Sequence, residues 1–201
     1  MTATRITAKE VSELRQRTGA GMMECKKALE ETAGEMEKAI ELLRTRGIAK
    51  ADKRAGRTAS EGLVHSYVHH NGKLAVLVEI NCETDFVART DDFKNLCRDV
   101  AQHIAATNPL AVDRDGIASD IVDRERRIAE QQAKESGKPE NIATRIAEGK
   151  VEAFFKDNTL LNQPWVRETS KTVGELVKEA SAKTGEKIEV RRFVRFALGE
   201  E

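Results

Sequence analysis

The sequence predicts an α+β protein: a bundle of three short helices, then a three-stranded antiparallel sheet packed with helices and a projecting helical hairpin. Three observations carry that reading. Helical spacing of apolar residues is punctuated early by Gly19, Gly34 and Gly47. The period then switches to twofold around Asn71-Gly72, and the twofold pattern returns near the end after a long helical interval.

The first helix is announced by Thr7-Ala8-Lys9-Glu10, the spacing of a capping box in which the Thr oxygen and the Glu carboxylate satisfy orphan amides reciprocally. Val11 and Leu14 mark its apolar face, and Gly19 supplies the backbone freedom that ends it. Met22, Cys25 and Leu29 define a second helix closed at Gly34, and Met36, Ile40 and Leu43 a third closed at Gly47. From 44 to 57 the chain holds Arg44, Arg46, Lys50, Lys53, Arg54 and Arg57 against the single acid Asp52, a basic connection that is helical or loose.

Beyond it, Val- and Tyr-rich residues 62–69 read as a strand. Leu74, Val76, Val78, Ile80 and Cys82 alternate with Ala75, Leu77, Glu79 and Asn81 as a half-buried second strand. Asn71-Gly72 between them suits a type I′ hairpin turn. Ile188, Val190, Val194, Phe196 and Leu198 repeat the alternation, broken at Arg192, and supply the third strand that a stable sheet requires. Helical sequence fills 91–106, 119–136, 140–157 and 173–184. Gly137-Lys138-Pro139 folds the middle two antiparallel into an arm marked by Ile121, Ile128, Ile142, Ile146 and Phe154. The expected organisation is a bundle at 1–48, a basic linker at 49–58 and a core at 59–201 with its hairpin at about 119–157.

Over 201 residues, Lys plus Arg equal Asp plus Glu at 34 each, so no global field draws the chain to a phosphate backbone or an anionic membrane. The longest apolar run, 74–78, is far short of the ~20 residues that span a bilayer, and Met1 to Thr4 lead into helix without a secretory signal. A cytoplasmic protein is expected. Cys25, Cys82 and Cys97, without a C-x-x-C pair, suit reduced, buried thiols rather than disulfides or zinc.

Few patterns suggest chemistry. Gly19-Ala20-Gly21 lacks the preceding strand and following Gly-Lys-Ser/Thr of a phosphate loop. His69 and His70 lack neighbouring carboxylates for a metal, and no spacing joins Cys25, Cys82 or Cys97 with His65 or His103 as a nucleophile pair. No cofactor or metal site and no enzymatic activity are expected. The basic stretch 44–57 leaves an RNA or ribosome-associated role as an alternative, although it lacks interleaved aromatics for base stacking. Met22-Met23 is more informative, since one helical face cannot bury both and one should be an exposed, adaptable thioether. Thr84-Asp85-Phe86-Val87 places an aromatic in a connection that should be polar. Residue physics leaves both docking on a partner and packing under its own core open.

Thr18-Gly19-Ala20-Gly21-Met22-Met23-Glu24-Cys25-Lys26-Lys27-Ala28-Leu29, followed by Asn81-Cys82-Glu83-Thr84-Asp85-Phe86-Val87, closely resembles the bacterial elongation factor Ts family. The likeness continues through Ser136-Gly137-Lys138-Pro139, Gln163-Pro164 and Ser170-Lys171-Thr172-Val173-Gly174. The resemblance implies guanine-nucleotide exchange on elongation factor Tu in translation elongation. It implies that the N-terminal helices form a ubiquitin-associated-like bundle docking on the partner's G domain, with Arg15, Met22 and Met23 at matching positions. It further implies that Asp85 and Phe86, with Thr84 and Val87 completing the motif, push in near the G domain's magnesium and phosphate sites. Longer members carry two related core subdomains, whereas one fits here, which makes a homodimer through the sheet region an expectation.

Overall fold

The computed structural model describes residues 6–200; the opening residues, expected to lack a leader, lie outside them. In order the chain forms α1 (Ala8–Thr18), α2 (Met22–Glu31), α3 (Met36–Arg54), β1 (Glu61–Val68), β2 (Leu74–Cys82), α4 (Asp85–Ala88) and α5 (Asp91–Thr107). There follow α6 (Ser119–Glu135), α7 (Glu140–Asn158), β3 (Pro164–Trp165), β4 (Glu168–Thr172), α8 (Val173–Thr184) and β5 (Ile188–Ala197). The α+β class is as the sequence predicts. By packing, the chain divides into two compact units, one of Met1–Leu63, Asn81–Leu96 and Val177–Glu189, the other of Val64–Ile80, Cys97–Leu176 and Val190–Glu201.

In the first unit, α1, α2 and α3 enclose Val11, Leu14, Cys25, Ala28, Leu29, Ala39 and Leu43. The capping box forms: Glu10 N donates to Thr7 Oγ1 at 3.3 Å, and Thr7 N donates to Glu10 Oε2 at 2.7 Å. Helix α1 stops at Gly19, whose φ of 71° is the left-handed conformation that glycine adopts without steric cost. Helix α3 does not stop at Gly47 but continues to Arg54, taking the first part of the basic stretch with it. Gly47 serves a different purpose. A Cβ there would stand 2.9 Å from Ala182 Cβ, so the missing methyl lets α3 and the end of α8 approach closely. Ion pairs Arg44–Glu179 and Lys178–Asp52, each 2.8 Å, fasten the same two helices.

The second unit holds most of an antiparallel sheet of order β1-β2-β5. The hairpin turn is longer than a two-residue type I′ loop: Gly72 N donates to His69 O at 2.8 Å, and in that turn only Gly72, at φ 68°, is left-handed. Val76, Val78 and Ile80 are buried as the alternation requires. On β5 the alternation slips at Arg191 and Arg192, consecutive exposed residues that both pair with Glu79. Before the slip Ile188 and Val190 are buried; after it Val194, Phe196 and Leu198 face solvent, and Arg195 instead reaches the Ala105 carbonyl of α5 at 3.4 Å.

Helices α6 and α7 form the expected hairpin, but its seam is Ala129, Ala133, Ala143, Ala147 and Val151. Ile128 and Ile142, expected to mark it, are exposed. Small side chains permit the closer approach of two backbones, so the isoleucines fall outside the seam. The β3–β4 ribbon has no counterpart in the sequence reading.

A candidate docking site

The segment Thr84-Asp85-Phe86-Val87 is one turn of helix, not an open loop. Thr84 holds extended backbone, φ −130° and ψ 153°, and its Oγ1 accepts the Val87 amide at 3.4 Å, the geometry of an N-cap. Asp85 opens the turn, where a carboxylate complements the amide end of the helix, and pairs with Arg89 at 2.8 Å. Ala88 is buried and Val87 half-buried. Phe86 is 81% exposed, so it does not tuck under its own core.

A distant carboxylate holds this turn. Glu186 Oε2 accepts the backbone amides of Glu83 at 3.1 Å and Thr84 at 3.0 Å, while its Oε1 accepts the Thr84 hydroxyl at 2.7 Å. The link is reciprocal, because Glu83 Oε1 accepts the Lys187 amide at 2.6 Å. That amide, ahead of the opposing cost of burial and the help of the Arg57 guanidinium, holds the Glu83 carboxyl below its usual range. Cys82 Sγ donates to Thr84 O at 3.1 Å; burial first, then the Glu186 carboxylate, pushes this thiol up to about 11. Neither Glu83 nor Glu186 was legible as a site residue. An acid following Gly185 between a helix and a strand carries no local mark of a partner 102 residues away.

Arg15 is exposed on α1. Met22 and Met23 are both exposed, at 43% and 65%, where the sequence required only one to be. Met22 lies three residues before buried Cys25, yet on the first turn of α2 it runs past the edge of the bundle core. Arg15, Met22, Met23 and the Thr84–Val87 turn all belong to the first unit.

The other candidates are structural. Cys25, Cys82 and Cys97 are buried thiols, as expected. His103, fully buried, accepts the Val166 amide at Nδ1 (3.3 Å) and therefore donates from Nε2 to Gln163 Oε1 (2.9 Å). His69 accepts the Tyr67 hydroxyl or donates to it at 2.9 Å, and its ring meets that of His70 at a tilt of 57°. Among the described residues no cluster of His, Cys, Asp or Glu is placed to hold a metal, and no helix is long and apolar enough to cross a membrane. Two open clefts of about 390 Å³ each are lined by Arg114, Glu152 and Lys156 and by Arg126, Glu148 and Glu152, without a nucleophile and base together. In the basic stretch, Arg44, Arg46, Lys50 and Arg57 pair with Glu179, Glu31, Glu24 and Glu83.

This fold, with exposed apolar side chains on capped, fastened backbone, defines a factor that works by binding another protein. The chain belongs to the elongation factor Ts family, whose model, described as "Elongation factor TS", matches residues 2–200. It is 53% identical over 196 residues to elongation factor Ts of Syntrophobacter fumaroxidans, covering 98% of each chain. It is 54% identical over 195 residues to that of Fervidobacterium nodosum, covering 97% of this chain and 99% of the relative. Against that of Thermoanaerobacter sp. strain X514 identity is 53% over 195 residues, covering 97% and 96%. The chain is thus a short-form exchange factor of translation elongation acting on elongation factor Tu, and not an enzyme.

Proposed function

We propose that the chain accelerates GDP release, in the cytoplasm, by placing the α4 turn against the magnesium and phosphate site of the partner's G domain, with Arg15, Met22 and Met23 holding that domain. The observation that carries this is Phe86, a large aromatic 81% exposed on a turn capped by Thr84, whose hydroxyl is held by Glu186. Rigid aromatic anchors that lose little entropy on docking are the residues that dominate protein interfaces.

The mechanism is linkage. A factor that binds the nucleotide-free G protein better than the GDP-bound one lowers GDP affinity by the same ratio. Burying a Phe side chain is worth about 1.5–3 kcal/mol. At about 1.4 kcal/mol per tenfold, Phe86 accounts for roughly one to two decades of that ratio if it is buried only in the nucleotide-free complex. Asp85, already engaged with Arg89 on its own turn, competes for the groups that order the magnesium shell. With Mg²⁺ dislodged, the GDP phosphates lose their main neutralising charge. Val87 and Thr84 keep Phe86 and Asp85 in register.

The test is release of fluorescent GDP from the partner with Phe86→Ala. The saturated rate should fall about tenfold to a hundredfold while association persists through the bundle. Near-normal acceleration together with normal binding would sink the wedge.

The pairing of Arg44, Arg46, Lys50 and Arg57 with internal carboxylates favours exchange over the RNA-binding alternative, which needs those cations for phosphates. A homodimer belongs to the same reading. Val64 and Val68 on β1, Leu77 on β2 and Val194 and Phe196 on β5 are exposed, as is Leu198 just beyond β5, large apolar side chains that a partner surface would cover. A second copy would cover them and bring two exchange turns into one particle.

A further inference from the structure

We infer that Glu186 is a positioning residue for nucleotide exchange, the group that sets where Phe86 stands. This rests on the reading of Phe86 given above and adds the part of the chain that controls it.

Beyond β2 the amides of Glu83 and Thr84 turn to the Glu186 carboxylate as their acceptor. An ionised carboxylate only accepts, so it suits a site where two N–H groups and one O–H converge. The Thr84 hydroxyl is the pivot. It has a single proton, which goes to Glu186 Oε1 at 2.7 Å, and this leaves its lone pairs facing the Val87 amide at 3.4 Å. The cap of the Phe86 turn is therefore oriented by a residue 102 positions away in sequence.

Glu186 is itself fixed. Buried Ser181 donates its hydroxyl to the Glu186 carbonyl at 2.5 Å, and Arg54, the last residue of α3, donates to the Ser181 carbonyl at 3.3 Å. The return bond from Lys187 N to Glu83 completes a closed frame of two crossed carboxylates. A continuous set of bonds thus runs from α3 of the docking bundle through Ser181 and Glu186 to Thr84 and the Phe86 turn. The frame gives the wedge its fixed direction relative to the element that holds the partner.

The test compares Glu186→Ala, Phe86→Ala and the double variant in fluorescent GDP release, titrating the full chain against the partner. Glu186→Ala should lower the saturated rate by about tenfold, from loss of charge-assisted hydrogen bonds, and shift half-saturation by less than about twofold. In the Phe86→Ala background it should have no further effect, since a positioning residue has nothing left to position. Amide exchange should show lost protection at Val87 with bundle protection retained; Glu186→Gln, which keeps one acceptor oxygen, should recover part of both signals. Normal exchange by Glu186→Ala beside impaired Phe86→Ala would overturn the positioning role and leave the Phe86 reading standing. Normal exchange by Phe86→Ala would overturn both. Independent, multiplicative losses in the double variant, or loss of bundle protection in both Glu186 variants, would make Glu186 merely structural.

Discussion

Substituting Gly47 by Ala sets two effects of opposite sign against each other, and the structure decides between them. In a helix interior the change from Gly to Ala is worth about 0.8–1.0 kcal/mol in propensity. Here the new Cβ would stand 2.9 Å from Ala182 Cβ, against an ordinary carbon–carbon separation of about 3.5–4.0 Å. The obstacle is a Cβ, which has no rotamer to adopt, so α3 and the end of α8 must separate by roughly 0.6–1.1 Å. Overpacking of that kind costs about 1–3 kcal/mol, more than propensity returns. Gly47→Ala should therefore destabilise the protein by about 1 kcal/mol net. Ala182→Gly alone should cost a similar amount by propensity, and the double variant should lie well above the sum, with a coupling of about 1–2 kcal/mol. Urea unfolding gives these values directly, provided the slope with denaturant is unchanged. A Gly47→Ala protein more stable than the parent, with additive behaviour in the double variant, would refute the close approach.

Acid should weaken the second unit through His103. Burial, opposed by the Gln163 hydrogen bond, holds its pKa below the usual 6.5. The unfolded chain then binds the proton that the folded chain refuses, so this contribution is fully present above about pH 6.5 and is lost as pH falls through that value toward the depressed one. Urea midpoints across that interval should fall for the parent and flatten for His103→Gln; identical pH slopes would contradict the assignment. For the sheet face, light scattering should give twice the chain mass for the parent at micromolar concentration and the single-chain mass for Phe196→Glu. A parent that is monomeric there removes the dimer.

Local signals were legible where they were self-contained. Thr7 with Glu10, Gly19, and the alternation from Val76 to Cys82 each place their element without outside help. Thr84 could have been read as an N-cap, since Thr before Asp is a helix-start signal, and the turn was within reach of the sequence. Gly47 misled because a helix-ending glycine and one that admits a neighbouring helix look alike until Ala182 is seen against it. The alanine seam of α6 and α7 was hidden because alanine scores weakly in any apolar pattern, whereas Ile128 and Ile142 score strongly and are exposed. The slip at Arg191–Arg192 inverts the outward face of β5, which puts Phe196, and Leu198 just beyond the strand, on the surface. Glu186 was beyond reach for a different reason: its meaning lies wholly in a contact with Thr84.

On the proposed mechanism the Phe86 turn discriminates between the nucleotide-free and GDP-bound partner. Its most direct test is the affinity of the chain for each form, measured by calorimetry for the parent and for Phe86→Ala. Phe86→Ala should weaken binding to the nucleotide-free form by about tenfold or more and hardly alter binding to the GDP-bound form, so that the ratio collapses. Equal weakening of both forms, or an unchanged ratio, would contradict it.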